Sequence, residues 1–303
     1  MELPRVLIVP YLRNWSYDLT AQALREHLSH RFDFRLAYEA DVKSGLDEDW
    51  PQVVVDMWWH GTLHMTFGRK TVKQISSHRW SAQQWGRLTP SKMLHHYAKQ
   101  LGVIVVPSRR LLELFSTAPS EEERHFLLAS KGFDPAMFFD QGRRLVPHGA
   151  DEQLSIGWAG ASAALDKHVD VLLEAAPNLR MADQCLTYDE MPDFYNGLDI
   201  IACASDAEGD PRPLIEAMAC GCFPITTDVG IVPELIRRGE NGFVVDSANP
   251  AEFAMAFEWC RNNIDHVRAA GRRNAVELAA KRRWSDVAPM WGEAIDLALA
   301  RSS

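Results

Sequence analysis

Glu208 and Glu216 stand eight positions apart in the stretch EGDPRPLIEAMACG (Glu208–Gly221), with Pro211 and Pro213 between them. Pro213 suits the first turn of a helix, where the amide hydrogen that proline lacks has no intrahelical partner. A helix start behind the flexible Gly209 offers amide donors and a partial positive charge to a phosphate. Glu216, one turn further in, is placed to accept hydrogen bonds from two adjacent hydroxyls, as on a ribose. Glu208 stays on the loop, at the far side of a bound phosphate, where its carboxylate suits a sugar. A ribose, a diphosphate and a sugar side by side describe a nucleotide-sugar. The plainer alternative is a pair of solvated glutamates. Against it, EAMACG is small and apolar for a solvated face, and a buried glutamate without a partner is costly.

These side chains need elements to position them. Short apolar runs alternate with helical patterns along the chain, which predicts α/β units with parallel sheets. RVLIV (Arg5–Val9) reads as a buried strand ended by Pro10, followed by a helix capped by Asp18 that carries Leu19, Leu24 and Leu28. Val53–Val55 and Val103–Val106 are further strands. LVPHGAD (Leu145–Asp151) breaks the pattern and marks a domain boundary. The pattern restarts with a strand in LSIGWAG (Leu154–Gly160) and a helix over 167–176. Strands at DIIACAS (Asp199–Ser205), FPITT (Phe223–Thr227) and GFVV (Gly242–Val245) follow, with helices at PLIEAMAC and VPELI. From Pro250 onward the chain reads as helical. Ligands in such folds bind outside the carboxyl ends of the strands, here between two successive domains.

Composition narrows the classes. With 303 residues, 47% of them hydrophobic and 24% charged, the chain is globular and large enough for two cores. A net charge of −9 argues against bulk nucleic-acid binding. The five cysteines, all in the second half, lack the spacing of a zinc site and read as reduced core residues of a cytoplasmic protein. No apolar run is long enough to span a membrane. No Asp-x-Asp pair sits at a strand end, so no metal is expected.

Tyr195–Val245 resembles the donor domain of family 4 retaining glycosyltransferases of the GT-B fold. The likeness rests on the Glu208/Glu216 pair, the EAMACG helix, TDVGIVPELI and NGFVV, and it extends well over Leu154–Val245. It implies two Rossmann-like domains facing across a cleft: 1–150 for the acceptor and 151–283 for the donor. A terminal segment, 284–303, then returns to the first domain. By the same resemblance Glu208 contacts the transferred sugar, Glu216 binds the ribose, and the backbone at Gly209 and Asp210 faces the diphosphate. Lys167 neutralises that diphosphate near Gly160, at the end of the domain's first strand. The donor, a substrate rather than a cofactor, is a UDP- or GDP-sugar. Two departures stand out. The arginine that relatives place before the lysine is missing from Gly157-Trp158-Ala159-Gly160, and Arg212 either supplies its charge or is solvated. In place of a glycine-rich loop after the first strand stands PYLRNWSYD (Pro10–Asp18), whose aromatics either stack on a ligand or pack inward.

His78, in QISSHRW, is the candidate for the histidine that relatives present to the sugar, although five of the eleven histidines lie between His60 and His96. His148 reads as structural. Between Met57 and Leu112 there is no acidic residue but nine basic ones: Arg69, Lys70, Lys73, Arg79, Arg87, Lys92, Lys99, Arg109 and Arg110. Trp58, Trp59, Phe67, Trp80, Trp85 and Tyr97 are interleaved with them. A one-sign run of this length in the acceptor domain points to an anionic acceptor. A lipid-linked or envelope glycan at a membrane surface is favoured. A modified base in DNA and a non-catalytic nucleotide-sugar binder remain as alternatives.

Overall fold

Val53–Asp56 and Val103–Val106 are buried at every position, as parallel strands covered on both faces must be. They belong to the first of two units in a computed structural model that describes residues 2–58, 63–77, 102–117, 125–142 and 154–301, the side chains of His64, Met65 and Arg69 aside. The first unit comprises Met1–Gly132 and Trp284–Ser303; the second comprises Phe133–Arg283.

The first unit runs β1 (Arg5–Tyr11), α1 (Ser16–Leu28), β2 (Asp33–Tyr38), α2 (Glu39–Ser44), β3 (Val53–Asp56), α3 (Leu63–Phe67), β4 (Thr71–Gln74), β5 (Val103–Val106), α4 (Arg109–Ser116) and β6 (His125–Leu128). Its described strands form one parallel sheet in the order β2-β1-β3-β4-β5-β6. One face packs on α1 and on the closing helix Trp284–Arg301, joining Val6, Ile8, Val55 and Val105 to Leu24, Trp291 and Ile295. Trp291 is fully buried, and its indole N–H donates to the Ser130 carbonyl at 3.1 Å. The closing helix is part of the first unit and completes its core.

Three sequence expectations change in this unit. The first helix begins at Ser16 with Trp15 as its N-cap. Asp18 lies inside the first turn, buried, where it accepts the Asn14 backbone N–H at 2.8 Å and the Tyr38 hydroxyl at 2.9 Å. The PYLRNWSYD loop keeps a glycine-like backbone without glycine: Tyr11 and Asn14 hold φ of 65° and 61°, which is costly for a tyrosine. Lys73, one of the nine basic residues of the one-sign run, is buried in β4 opposite Asp56 of β3. Its ammonium donates to Asp56 at 2.8 Å and to the Trp58 carbonyl at 2.6 Å. Burial pushes the Asp56 carboxyl up and the Lys73 ammonium down, and each opposes the shift of the other. Lys70 and Arg109 are exposed and Arg110 half-buried. Arg79, Arg87, Lys92, Lys99, Trp59, Trp80, Trp85 and Tyr97 lie outside the described residues, as do His78 and His148.

The second unit runs β7 (Ile156–Gly160), α5 (Val169–Ala175), β8 (Arg180–Asp183), α6 (Met191–Asn196), β9 (Ile200–Cys203), α7 (Arg212–Ala219), β10 (Phe223–Thr227), α8 (Val232–Leu235), β11 (Phe243–Val245), α9 (Pro250–Asn262) and α10 (Ile264–Ala279). Its sheet is parallel, in the order β11-β10-β9-β7-β8. The unit begins ahead of the Leu145–Asp151 break because Phe133 and Phe138 are buried in a core with Tyr195, Leu198 and Met218. The Gln141 N–H adds a hydrogen bond to the Asn196 side chain at 2.9 Å. All five cysteines are free thiols; Cys220, Cys222 and Cys260 are core residues as expected, whereas Cys185 is exposed and Cys203 half-buried. Among the described residues no helix is long and apolar enough to cross a membrane, and no group of three or more His, Cys, Asp or Glu is disposed to hold a metal ion.

Candidate functional site

The carboxyl end of β9 leads through Ser205–Pro211 into α7, whose residues are buried along most of its length. This is the strand–loop–helix context that the two glutamates require, and the structure gives them different surroundings. Glu208 is on the loop with its side chain 18% exposed, and it is ion-paired with Lys167, which lies in a short 3-10 turn between β7 and α5. The Ser205 hydroxyl also donates to Glu208, at 3.2 Å, while the Ser205 carbonyl accepts from Thr227 at 2.6 Å. Burial alone pulls the Lys167 ammonium down, but the field and hydrogen bond of Glu208 outweigh it and hold the group above the ordinary lysine value. Lys167 therefore stays charged at any pH of interest.

Glu216 is buried in α7, only 2% exposed. One carboxylate oxygen accepts from the Tyr188 hydroxyl at 2.7 Å and from Arg212 at 3.5 Å, and the other accepts from the Tyr195 hydroxyl at 3.4 Å. Burial raises the Glu216 carboxyl, and Arg212 with the two phenols opposes the shift. Burial also lifts both phenols above the ordinary tyrosine value, and the Glu216 charge adds to it. Three donors occupy about three of the roughly four lone-pair directions of a carboxylate, so a further hydroxyl enters by sharing with or displacing one of the phenols. Arg212 is 7% exposed, which removes the solvated alternative. It lies in the fields of Tyr188, Glu216 and Asp210, which keep it above the ordinary arginine value against the effect of burial.

The loop between the glutamates is held from beneath. Ile231 donates its N–H to the Gly209 carbonyl at 2.8 Å. Gly230 has φ +44°, and a Cβ there would stand 2.1 Å from the Gly209 carbonyl oxygen and 2.4 Å from that of Glu208. Only glycine admits this approach. Asp210 is buried, with its side chain in the fields of Arg212 and Arg282. Gly160 ends β7 and packs against the Trp158 ring, 2.8 Å from where its Cβ would be. Lys167, Glu208, Gly209, Asp210, Arg212 and Glu216 thus gather at the β7 and β9 loops and the start of α7. Gly160 ends the neighbouring strand, and His78 lies outside the described residues.

Tyr188, Tyr195, Ser205 and Gly230 were not singled out from sequence. Tyr195 and Gly230 fall inside the stretch that carries the family likeness. Tyr188 offered no signal of its own, because its partner Glu216 is 28 positions away.

The second unit thus holds a buried glutamate in the helix after β9 and a lysine-paired glutamate on the loop before it, in a domain of five parallel strands. Residues 183–276, within the second unit, match the family described as glycosyl transferases group 1. A D-inositol 3-phosphate glycosyltransferase of Streptomyces bingchenggensis is 36% identical over 76 residues, 25% of this chain and 16% of the relative. The match therefore spans less than a fifth of that relative. In fold, the chain is similar to a sucrose-phosphate synthase structure from Thermosynechococcus elongatus, with a TM-score of 0.77 at 12% identity over 98% of this chain and 100% of that one. HepE of Anabaena in complex with UDP and glucose gives a TM-score of 0.71 at 12% identity over 96% of this chain and 99% of the other.

Proposed function

We propose that the protein is a retaining glycosyltransferase that moves a sugar from a nucleoside diphosphate donor to an acceptor held by the first unit. The observation that carries this reading is the Lys167–Glu208 ion pair on the loop ahead of the buried Glu216. It pairs one cation with one carboxylate, groups suited to a diphosphate and its sugar, eight positions ahead of a carboxylate suited to a ribose. Support comes from the group 1 match over 183–276 and from a fold shared with a protein solved with UDP-glucose.

In this reading the acceptor hydroxyl oxygen bonds to the anomeric carbon as the carbon–oxygen bond to the diphosphate breaks. The bonding pair leaves with the diphosphate, which also takes the acceptor proton, so the products are a glycoside and the free nucleoside diphosphate. No side-chain base and no metal is assigned to the step. Lys167 meets the charge that builds on the diphosphate, Arg212 adds to the positive field behind it, and Glu208 stabilises the positive charge on the sugar. Gly209 and Asp210 present the loop backbone, and Glu216 orients the ribose. The donor is a UDP- or GDP-sugar, and UDP has the stronger support, since HepE was solved with UDP and with UDP-glucose. The acceptor is anionic and best suits a phosphorylated or lipid-linked glycan. The basic stretch of the first unit supports this, and so do relatives named for D-inositol 3-phosphate.

A thermal-shift screen against UDP-, GDP-, ADP- and TDP-sugars tests the donor. A ligand at 100 times its Kd adds about 2.7 kcal/mol to the state that binds it, which is about 5–10 °C in Tm for a unit of this size. One nucleotide series should give that shift. No shift with any of the four contradicts the reading.

A further inference from the structure

Glu216, the carboxylate assigned to the ribose above, already has most of its hydrogen-bonding capacity taken by the protein. Among the described residues its donors are the Tyr188 hydroxyl at 2.7 Å and Arg212 at 3.5 Å on Oε1, and the Tyr195 hydroxyl at 3.4 Å on Oε2. A carboxylate offers about two lone-pair directions on each oxygen. Oε1 is therefore full, and Oε2 keeps one direction that an incoming hydroxyl can take while sharing that oxygen with Tyr195. A ribose brings two adjacent hydroxyls, so the second enters only by displacing Tyr188.

Tyr188 is built to stay. Its ring packs 5.4 Å from that of Phe138, centroid to centroid, against the core that holds Tyr195 and Met218. Its backbone lies in a short 3-10 turn, Tyr188–Glu190, ahead of α6. The Glu190 carboxylate closes that turn by accepting the Thr187 N–H at 2.7 Å and the Thr187 hydroxyl at 2.8 Å. The Tyr188 hydroxyl makes the shortest of the three bonds to a buried charge, the kind that is strong and costly to leave unmade. Moving the side chain aside would lose that bond and the ring packing together, in return for one ribose hydroxyl.

We propose that Tyr188 is a specificity-determining residue: by holding Oε1 of Glu216 it leaves the donor one ribose contact there, so that a nucleoside diphosphate lacking the other ribose hydroxyl binds as tightly as the parent. The inference rests on the donor site assigned above. Where the contact is the 3′ hydroxyl, deoxyribose nucleotides join the donor class.

The test is calorimetric titration of UDP and GDP, and of the 2′-deoxy and 3′-deoxy forms of whichever binds, into the wild type and Tyr188→Phe, with Tm measured alongside. In the wild type one deoxy form should match the parent, and the other should bind about tenfold to a hundredfold more weakly. Tyr188→Phe keeps the ring on Phe138 and frees one direction on Oε1, so Glu216 there takes both hydroxyls. Parent affinity should then hold or rise, and both deoxy forms should fall behind it by about tenfold or more. A wild type in which both deoxy forms are weakened accepts both hydroxyls, and one in which neither is weakened accepts none. Either result overturns the proposal without recourse to the variant. A Tyr188→Phe protein that tolerates the same deoxy form as the wild type overturns the assignment to Tyr188. A wild type that binds neither diphosphate refutes the donor-site reading itself, a result distinct from the others.

Discussion

Gly230→Ala puts the support of the donor loop to a severe test. The new Cβ would fall 2.1 Å from the Gly209 carbonyl oxygen and 2.4 Å from that of Glu208, about 1 Å or more inside ordinary contact. Neither obstacle is the end of a flexible side chain; both are backbone of the loop that carries Glu208. The residue also has φ +44°, which costs an L-residue about 1–2 kcal/mol. Losing the Ile231 N–H bond to the Gly209 carbonyl adds about 1 kcal/mol. With the residual strain of a partly relaxed clash, the sum is about 2–4 kcal/mol, or about 5–15 °C in Tm. A loop displaced by about 1 Å should lower turnover by about a hundredfold. Gly239→Ala is the control, because Gly239 has φ +78° but open space where its Cβ would be. It should cost only the backbone term and leave turnover unchanged. The assays are Tm and release of diphosphate from the donor found in the thermal-shift screen. Equal losses in the two variants, or a Gly230→Ala protein that matches the wild type, refute the steric reasoning.

Lys73→Met leaves Asp56 buried without its cation and should lower stability by about 3–5 kcal/mol, read from urea unfolding. The double change Lys73→Met/Asp56→Leu should restore most of the loss, and a single variant as stable as the wild type contradicts the buried pair. Removal of the residues after Arg283 takes Trp291 and Ile295 out of the first unit's core and should abolish its cooperative melting. A truncated protein that melts and turns over like the full chain disproves that role. Asp183 is held below the usual carboxylate range by the Ser162 hydroxyl, and Glu190 by the Thr187 backbone amide. Depressed folded-state values stabilise above the unfolded value of about 4, and that stability is lost as pH falls through the folded value. The urea midpoint should therefore drop below about pH 4, and Asp183→Asn should remove part of the drop.

Much of the fold was legible because its strands are apolar runs between breakers: β1, β3, β5, β9 and β10 all read directly from valine and isoleucine content. β4 was not, because TVKQ carries a lysine whose burial depends on Asp56, seventeen positions back on the neighbouring strand. β8 (RMAD) was missed because its four residues carry two charges and no apolar run; β2 (DFRLAY) was missed although Asp33–Leu36 alternates as a half-buried strand does, because its alternation is only four residues long. The start of the second unit was placed too late because Phe133 and Phe138 lie in a proline-bearing stretch without a strand or helix pattern, and only their packing assigns them. At the site, Glu208 and Glu216 stood out through residue type and spacing, and Lys167 through the family resemblance. The phenols on Glu216 did not, since nothing local to Tyr188 distinguishes it from a surface tyrosine.

The central claim is a division of labour between the two glutamates, and calorimetric titration of the free nucleoside diphosphate tests it most directly. If Glu216 accepts from the ribose as proposed, Glu216→Ala removes hydrogen bonding to a charged group worth about 1.5–3 kcal/mol, so affinity should fall about tenfold to a hundredfold. Glu208→Ala releases Lys167 from its partner, so diphosphate affinity should hold or rise while turnover of the donor collapses. Equal weakening of diphosphate binding by the two substitutions would contradict the account.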